Sequence, residues 1–176
     1  MKATLLAIAL AAASLPAMAQ HTHAHGGHAP LSPYAGMQDR DIKALSAEQL
    51  DELRAGKGMG YAMPAELNGY PGPVHTLELA EALGLSESQK RETQVLYAQM
   101  QAEAIAAGRQ VIASETALDR LFSSGTAEAQ SVRSASAEAA RAHGELRAVH
   151  LRYHLRMREL LTPAQSAKYA ELRGYL

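Results

Sequence analysis

The sequence predicts an all-α fold: a long antiparallel helical hairpin with short flanking helices, about four to five helices in a chain that dimerises. Two long segments carry apolar side chains at alternating spacings of three and four, the period of a helix face that packs against another helix. A leucine, a hydroxyl residue and then a glutamine three positions further on recur as a typical helix start. The 176 residues contain no cysteine, which excludes disulfides and thiolate metal sites.

Residues 1–19 are predicted to be a cleaved signal peptide. Lys2 precedes an apolar run, Pro16 interrupts it, and small residues form an A-x-A cleavage site before Gln20. The apolar run is too short to span a membrane, and no cysteine follows it for lipid attachment. The sequence therefore predicts a periplasmic protein without a membrane anchor.

Residues 20–43 are predicted to be a flexible arm, because the segment is rich in His, Gly and Pro and has no sustained period. A flexible imidazole cluster can collect Zn(II), Cu(II) or Ni(II) with modest affinity, since binding must order the chain. The alternative is a solubilising tail. The candidate metal ligands of the arm are His21, His23, His25 and His28.

The helical domain is predicted over residues 44–176, and its first helices are short. The first begins after Ser46, where Gln49 completes a capping box. A connector rich in Gly, Met and Pro follows and holds a short helix around residues 63–67. A third helix is expected over residues 74–83, where a glycine then stops it.

Two long helices, residues 86–122 and 127–160, form the predicted hairpin, with Thr126 as the cap of the second. A final helix begins at Thr162, with Pro163 in its first turn. The apolar seam of the first long helix comprises Ala107, Val111, Ser114, Leu118 and Leu121, and that of the second comprises Val132, Ala135, Ala139, Ala142, Leu146, Val149 and Tyr153.

The capping motifs are LSAEQ, LSESQ and LTPAQ, and each taken singly is an ordinary helix start. The last two open the hairpin and the terminal helix, and this arrangement after a signal peptide resembles the LTxxQ family of periplasmic helical proteins. The resemblance covers roughly residues 84–174. It is carried by Leu85, Ser86, Gln89, Leu161, Thr162 and Gln165, with serine at position 86 where the family usually has threonine.

That family includes Spy- and CpxP-like chaperones and ZraP- and CnrX-like metal-binding relatives. The resemblance implies about four helices per chain, a homodimer or higher oligomer built on the hairpin, and no use of ATP. Members hold unfolded clients on a concave, partly basic surface, restrain an envelope stress sensor, or bind divalent metal. The resemblance leaves the choice among these functions open, and the histidine pair in the first helix of the metal sensors has no counterpart in this sequence.

The second long helix contains the stretch HLRYHLRM, residues 150–157. At 100° per residue, His143, His150, His154 and Met157 line one edge of the apolar seam. His150 and His154, one turn apart, can chelate a single Zn, Cu, Ni or Co ion, and Met157 suits a soft ion such as Cu(I). The alternative is a helix edge whose polar tips lie in water. A third ligand is required, and the sequence offers His75, Glu78, Glu81 and Glu115.

The other side of the same helix is rich in arginine and carries two leucines outside the seam. This pattern predicts a second contact surface, for a dimer mate or for acidic and apolar clients. The alternative is a solvated basic face. The residues of this predicted client or partner surface are Arg147, Leu151, Arg152, Leu155 and Arg158.

The sequence favours a binding protein over an enzyme, because it contains no G-x-S-x-G, H-E-x-x-H or Walker pattern and no cysteine nucleophile. A net charge of −1 gives no reason to expect nucleic-acid binding. The first hypothesis is a periplasmic, ATP-independent chaperone or envelope-stress adaptor that binds unfolded proteins or a sensor protein. It requires no cofactor and is modulated by a divalent metal. The alternative is a periplasmic heavy-metal resistance or sensor protein that binds Zn, Cu, Ni or Co.

Overall fold

The computed structural model describes residues 32–176, so the predicted signal peptide and the four arm histidines lie outside the described range. Residues 32–176 form six α-helices and no strands, which confirms the all-α prediction. Within this range, none of the helices combines the length and apolar character that a membrane crossing requires. The helices are α1 (Ala47–Ala55), α2 (Met63–Glu66), α3 (Pro73–Glu78), α4 (Glu87–Ser123), α5 (Ala129–Leu160) and α6 (Pro163–Leu172).

The compact helical unit begins at Gly36, earlier than the predicted boundary at residue 44. Ile42 is buried in the core, and the backbone N–H of Lys43 donates to the carboxylate of Asp119 at 3.2 Å. The predicted arm therefore overlaps the folded unit. The sequence did not reveal this, because a single buried isoleucine after a stretch rich in Gly and Pro has no period.

Capping boxes begin α1, α4 and α6, as predicted. The hydroxyls of Ser46, Ser86 and Thr162 each accept a hydrogen bond from the backbone N–H of the glutamine three positions on. Each glutamine side chain accepts in return from the N–H of its cap residue. These reciprocal bonds satisfy backbone donors that a helix start leaves without intrahelical partners.

Two predicted helix boundaries are wrong. The N-cap of α5 is Glu128 rather than Thr126, whose hydroxyl is hydrogen-bonded to the hydroxyl of Ser124 at 2.8 Å. Hydroxyl residues in turns have several local partners, so a cap is hard to assign from sequence. α3 ends at Glu78, earlier than predicted, because residues 79–84 continue as turns.

α4 and α5 form the predicted antiparallel hairpin. Its direction is evident from cross-helix hydrogen bonds, such as the guanidinium of Arg156 with Gln99 and the imidazole of His143 with Glu115. Ala139 and Ala142 are both buried in the interface, where small side chains allow the helices to approach closely. The predicted seam is therefore the interface between the two long helices.

The core has two parts along the hairpin, and α5 contributes to both. The part that packs against α1 comprises Ile42, Leu45, Leu50, Leu53, Ala104, Val111, Ala142 and Leu146. The part that packs against α6 comprises Leu83, Leu85, Leu96, Met100, Tyr153, Met157, Leu161 and Tyr169.

The capping glutamines of α4 and α6 also join the two helices. Gln89 Nε2 donates to Gln165 Oε1 at 2.9 Å, and Gln165 Nε2 donates back to Gln89 Oε1 at 3.1 Å. Gln89 Nε2 donates further to the carbonyl of Leu160 at 3.1 Å, at the end of α5. The two capping motifs therefore fix the start of α6 against the open end of the hairpin.

We expect the glutamine pair to stabilise the fold cooperatively. In a double-mutant cycle of Gln89→Ala and Gln165→Ala, the coupling free energy of unfolding should be about 1 kcal/mol, the net value of a typical hydrogen bond. Chemical denaturation measures it. Gln49→Ala is the matched control, because Gln49 closes the capping box of α1 and should show no coupling to Gln165. A coupling near zero between Gln89 and Gln165 would contradict the expectation.

A second expectation concerns the contact between α1 and α4. A Cβ atom at Gly108 would lie 2.5 Å from the carbonyl oxygen of Leu53, so Gly108→Ala should lower the free energy of unfolding by about 1–3 kcal/mol. Gly144 in α5 has no atom within 4 Å of that position, and Gly144→Ala should instead add about 0.5–1 kcal/mol. The thermal denaturation midpoints of the two variants should shift in opposite directions. A Gly108→Ala variant as stable as the unaltered protein would refute the close approach of α1 to α4.

Candidate functional site

A cavity of about 770 Å³ lies between the α4–α5 hairpin and the connector, which we define as residues 57–72. Its wall is mostly apolar and includes the end of α1, the start of α3 and residues after α6. A cavity of this kind, with a few polar groups in an apolar wall, is typical of a ligand site. The imidazoles and charged groups in the wall belong to His75, His150, His154, Lys57, Glu52, Glu66 and Arg173.

His154 is buried and held through one ring nitrogen. Its Nδ1 lies 2.7 Å from the carbonyl oxygen of Tyr70, which can only accept, so Nδ1 carries the proton. No hydrogen bond from residues 32–176 reaches Nε2. A Cβ at Gly72 would lie 3.1 Å from Nε2 and 2.9 Å from Cε1, so the absence of a side chain there leaves this end of the ring accessible. The φ of Gly72 is −90°, which any residue can adopt, so conformation does not explain this glycine.

His150, one turn earlier, is 2% exposed, and its Nε2 is buried without a hydrogen-bond partner among the described residues. Burial lowers the pKa of His150, the neighbouring His154 lowers it further, and a hydrogen bond with the backbone of Lys57 opposes both effects. The ring of Tyr61 stacks on His150, with centroids 6.3 Å apart and an interplanar angle of 11°. His150 is therefore a neutral imidazole at pH 7, and its buried Nε2 has no partner among the described residues.

His75 of α3 lines the cavity and, like His154, is held through Nδ1. Its Nδ1 is 2.8 Å from a carboxylate oxygen of Glu78, and about a third of the side chain is exposed. Metal-ligating histidines usually donate their second ring nitrogen to a carboxylate or a carbonyl, which fixes the ring and its tautomer. His154 and His75 are held through Nδ1 in this way.

Two of the four candidate metal ligands predicted in α5 lie outside the cavity. His143 does not line the cavity. Both of its ring nitrogens have partners: Nδ1 is 2.6 Å from the hydroxyl of Tyr61, and Nε2 is 3.0 Å from Glu115. Met157 is fully buried in the core against α6. Of the four predicted ligands, His150 and His154 therefore line the cavity, whereas His143 and Met157 do not.

Glu66 of α2 closes one side of the cavity and is committed to other partners. Its Oε1 accepts hydrogen bonds from the hydroxyls of Tyr169, at 2.5 Å, and Tyr175, at 3.1 Å. Arg173 lies 3.6 Å from the same oxygen. Burial and the hydrogen bond to Glu66 raise the pKa of Tyr169, so this phenol stays protonated as a donor. Glu66 thus attaches the connector to the C-terminal residues.

The residues of the predicted client or partner surface point in two directions. The guanidinium of Arg147 lies 5.8 Å from the ring centroid of Tyr61, and Arg158 donates to a connector carbonyl at 3.1 Å. Arg152 turns instead toward α4, where it forms an ion pair with Glu103. Leu151 is half-buried and Leu155 is 53% exposed. These arginines have partners within the chain, and Leu155 is the exposed apolar member of the set.

Sequence reasoning missed the contribution of the connector to the cavity. Tyr70, Glu66 and Gly72 contact His154 or its surroundings, and Tyr61 stacks on His150. The available signal was the unusual richness of this segment in Gly, Met, Tyr and Pro, which is more than a simple linker requires.

Comparisons with known proteins leave the chain without an identified relative: no family model, no curated protein and no solved structure matches it. The likeness to the LTxxQ family therefore consists of the motifs and their spacing. Within residues 32–176, no group of three or more His, Cys, Asp or Glu side chains is close enough to hold a metal ion.

Proposed function

We propose that this protein is a periplasmic metal-binding protein that holds a late transition-metal ion at His150 and His154. The observation that carries the proposal is a pair of imidazoles, one helical turn apart, that line one cavity. His154 Nε2 accepts no hydrogen bond from the described residues, and His150 Nε2 is buried among them without a partner. Side chains at i and i+4 have Cβ atoms about 5–6 Å apart, a spacing at which two imidazoles can bind one ion.

Three features of the histidine pair support a role in metal binding over a role in packing alone. A buried nitrogen without a partner costs about 1–3 kcal/mol, so the free Nε2 of His150 requires an explanation. The lowered pKa of His150 keeps its ring neutral, which is the form that binds metal. Gly72 leaves space beside His154 Nε2 that any other residue would fill. The export of the chain to the periplasm rests on the sequence of residues 1–19.

Zn(II) titration by calorimetry tests the proposal. Serine should first replace the four arm histidines, His21, His23, His25 and His28, so that only the folded unit is measured. In this background, the double variant His150→Ala, His154→Ala should bind Zn(II) more than about tenfold more weakly, since even outer-shell changes cost that much. Unchanged affinity in the double variant would refute the site.

Two further variants separate metal binding from folding. Gly72→Ala keeps both imidazoles but crowds His154 Nε2, so it should also weaken Zn(II) binding while the helical circular dichroism is preserved. His143→Gln is the matched control, because His143 does not line the cavity, and the affinity should stay unchanged.

A second function, the ATP-independent chaperone or envelope-stress adaptor, is favoured by one observation. Leu155 in α5 and Val95 in α4 are 53% and 48% exposed, which leaves apolar side chains on the hairpin accessible to a client, a sensor protein or a dimer mate. The adaptor function and metal binding are compatible, because the cavity and Leu155 use different sides of α5. Homodimerisation through the hairpin belongs to this second proposal.

Suppression of aggregation of a chemically denatured client, followed by light scattering, tests the chaperone function. Leu155→Ser should raise the protein concentration needed for half-suppression about fivefold, the equivalent of losing about 1 kcal/mol of contact energy. Leu172→Ser is the matched control, since Leu172 is 42% exposed on α6, away from the hairpin. Equal effects of the two substitutions, or no suppression by the unaltered chain, would refute a client surface at Leu155.

A further inference from the structure

We infer that the cavity selects Cu(I), with thioether sulfur completing the coordination that His150 and His154 begin. This inference rests on the proposed metal-binding function and adds to it the class of metal and the identity of the remaining ligands. The sulfur donors are Met59, Met63 and Met100, which line the same cavity as the two imidazoles.

The three methionines reach the cavity from different elements. Met59 belongs to the connector, Met63 is the first residue of α2, and Met100 lies in the middle of α4. Met100 is 6% exposed and is held in the core, whereas Met63 is 57% exposed at the opening. One thioether thus lies beside the hairpin, and the others lie on the connector, on the opposite side of the cavity.

The backbone at Met59 is unusual. Its φ is +44°, and it is the one residue other than glycine with a positive φ in the described part of the chain. Glycine adopts this conformation without strain, and Gly58 and Gly60 flank the position. Met59 also packs against the core beside α1, but any apolar side chain of similar size would provide that contact. A soft sulfur donor in the cavity wall explains why a methionine occupies a position that favours glycine.

Glu66, one of the two carboxylates in the cavity wall, is poorly placed to complete a site for a harder ion. Glu66 is bound to two tyrosine hydroxyls, and its other oxygen lies 3.6 Å from Nδ1 of His154, the protonated nitrogen. Within residues 32–176 no third carboxylate or imidazole is close enough to the pair to form a metal group. Imidazole together with thioether is a donor set that favours Cu(I) over divalent ions that prefer oxygen ligands.

Competition against a chromophoric Cu(I) chelator, under anaerobic reducing conditions, tests the inference beside Zn(II) calorimetry. In the arm-substituted chain, the triple variant Met59→Leu, Met63→Leu, Met100→Leu should bind Cu(I) at least about tenfold more weakly and keep its Zn(II) affinity. Leucine replaces methionine with little change in volume, so the fold should be retained. Met157→Leu is the matched control, since Met157 is buried outside the cavity, and it should change neither affinity.

The outcomes separate this inference from the proposed function. Zn(II) binding that depends on His150 and His154, with Cu(I) affinity unchanged in the triple variant, would overturn the inference and leave the proposed function standing. Equal losses of affinity for Cu(I) and Zn(II) in the triple variant would also overturn the inference, because the methionines would then only shape the cavity. No binding of either metal would overturn both. X-ray absorption at the copper edge should show sulfur scatterers in the unaltered protein and none in the triple variant.

Discussion

Hydrogen bonds between the connector and α5 are the interaction on which the cavity depends. The connector contains only the single short turn of α2, so its own backbone bonds cannot fix its position. It is held instead by long-range contacts: Tyr61 with His143, the Gly69 carbonyl with Arg158, and the Tyr70 carbonyl with His154. These contacts are spread along four turns of α5. Together with the bonds of Glu66 to the C-terminal residues, they hold the wall of the cavity that lies opposite the hairpin.

α5 therefore contacts three neighbours, namely α4, α6 and the connector, and the residues on its faces differ accordingly. Its apolar stripe packs on α4 and α6, one polar edge holds the connector, and the other edge reaches α4 through Arg152 and Arg156. Leu155 lies between the two polar edges and remains exposed. The arginines that the sequence suggests form a basic surface instead bind, in the fold, to the connector on one side of the helix and to α4 on the other. This arrangement weakens the case for a broad basic client surface and strengthens the case for the cavity.

The sequence predicted most of the fold, because the fold follows from local signals. The capping boxes at Ser46, Ser86 and Thr162 and the alternating spacing of apolar residues depend on neighbours a few positions away. The site was predicted only in part. A helical wheel correctly put His150 and His154 on one edge, but it gives an angle and not the identity of what packs there. The carbonyl that orients His154 is 84 positions away in the chain, and no local pattern indicates such a contact.

A metal ion bound as proposed would be linked to the stability of the fold. The unpartnered Nε2 of His150 costs about 1–3 kcal/mol, and the positive φ of Met59 adds a cost of similar size, about 1–3 kcal/mol. A ligand that binds only the folded state stabilises it by about 2.7 kcal/mol at one hundred times its dissociation constant, which is of the same size as either cost. Burial and His154 lower the pKa of His150, so protons compete weakly for its nitrogen near pH 7. Since the connector both orients His154 and carries Met59, an ion bound in the cavity would hold the connector in place, and the connector would in turn hold the ion.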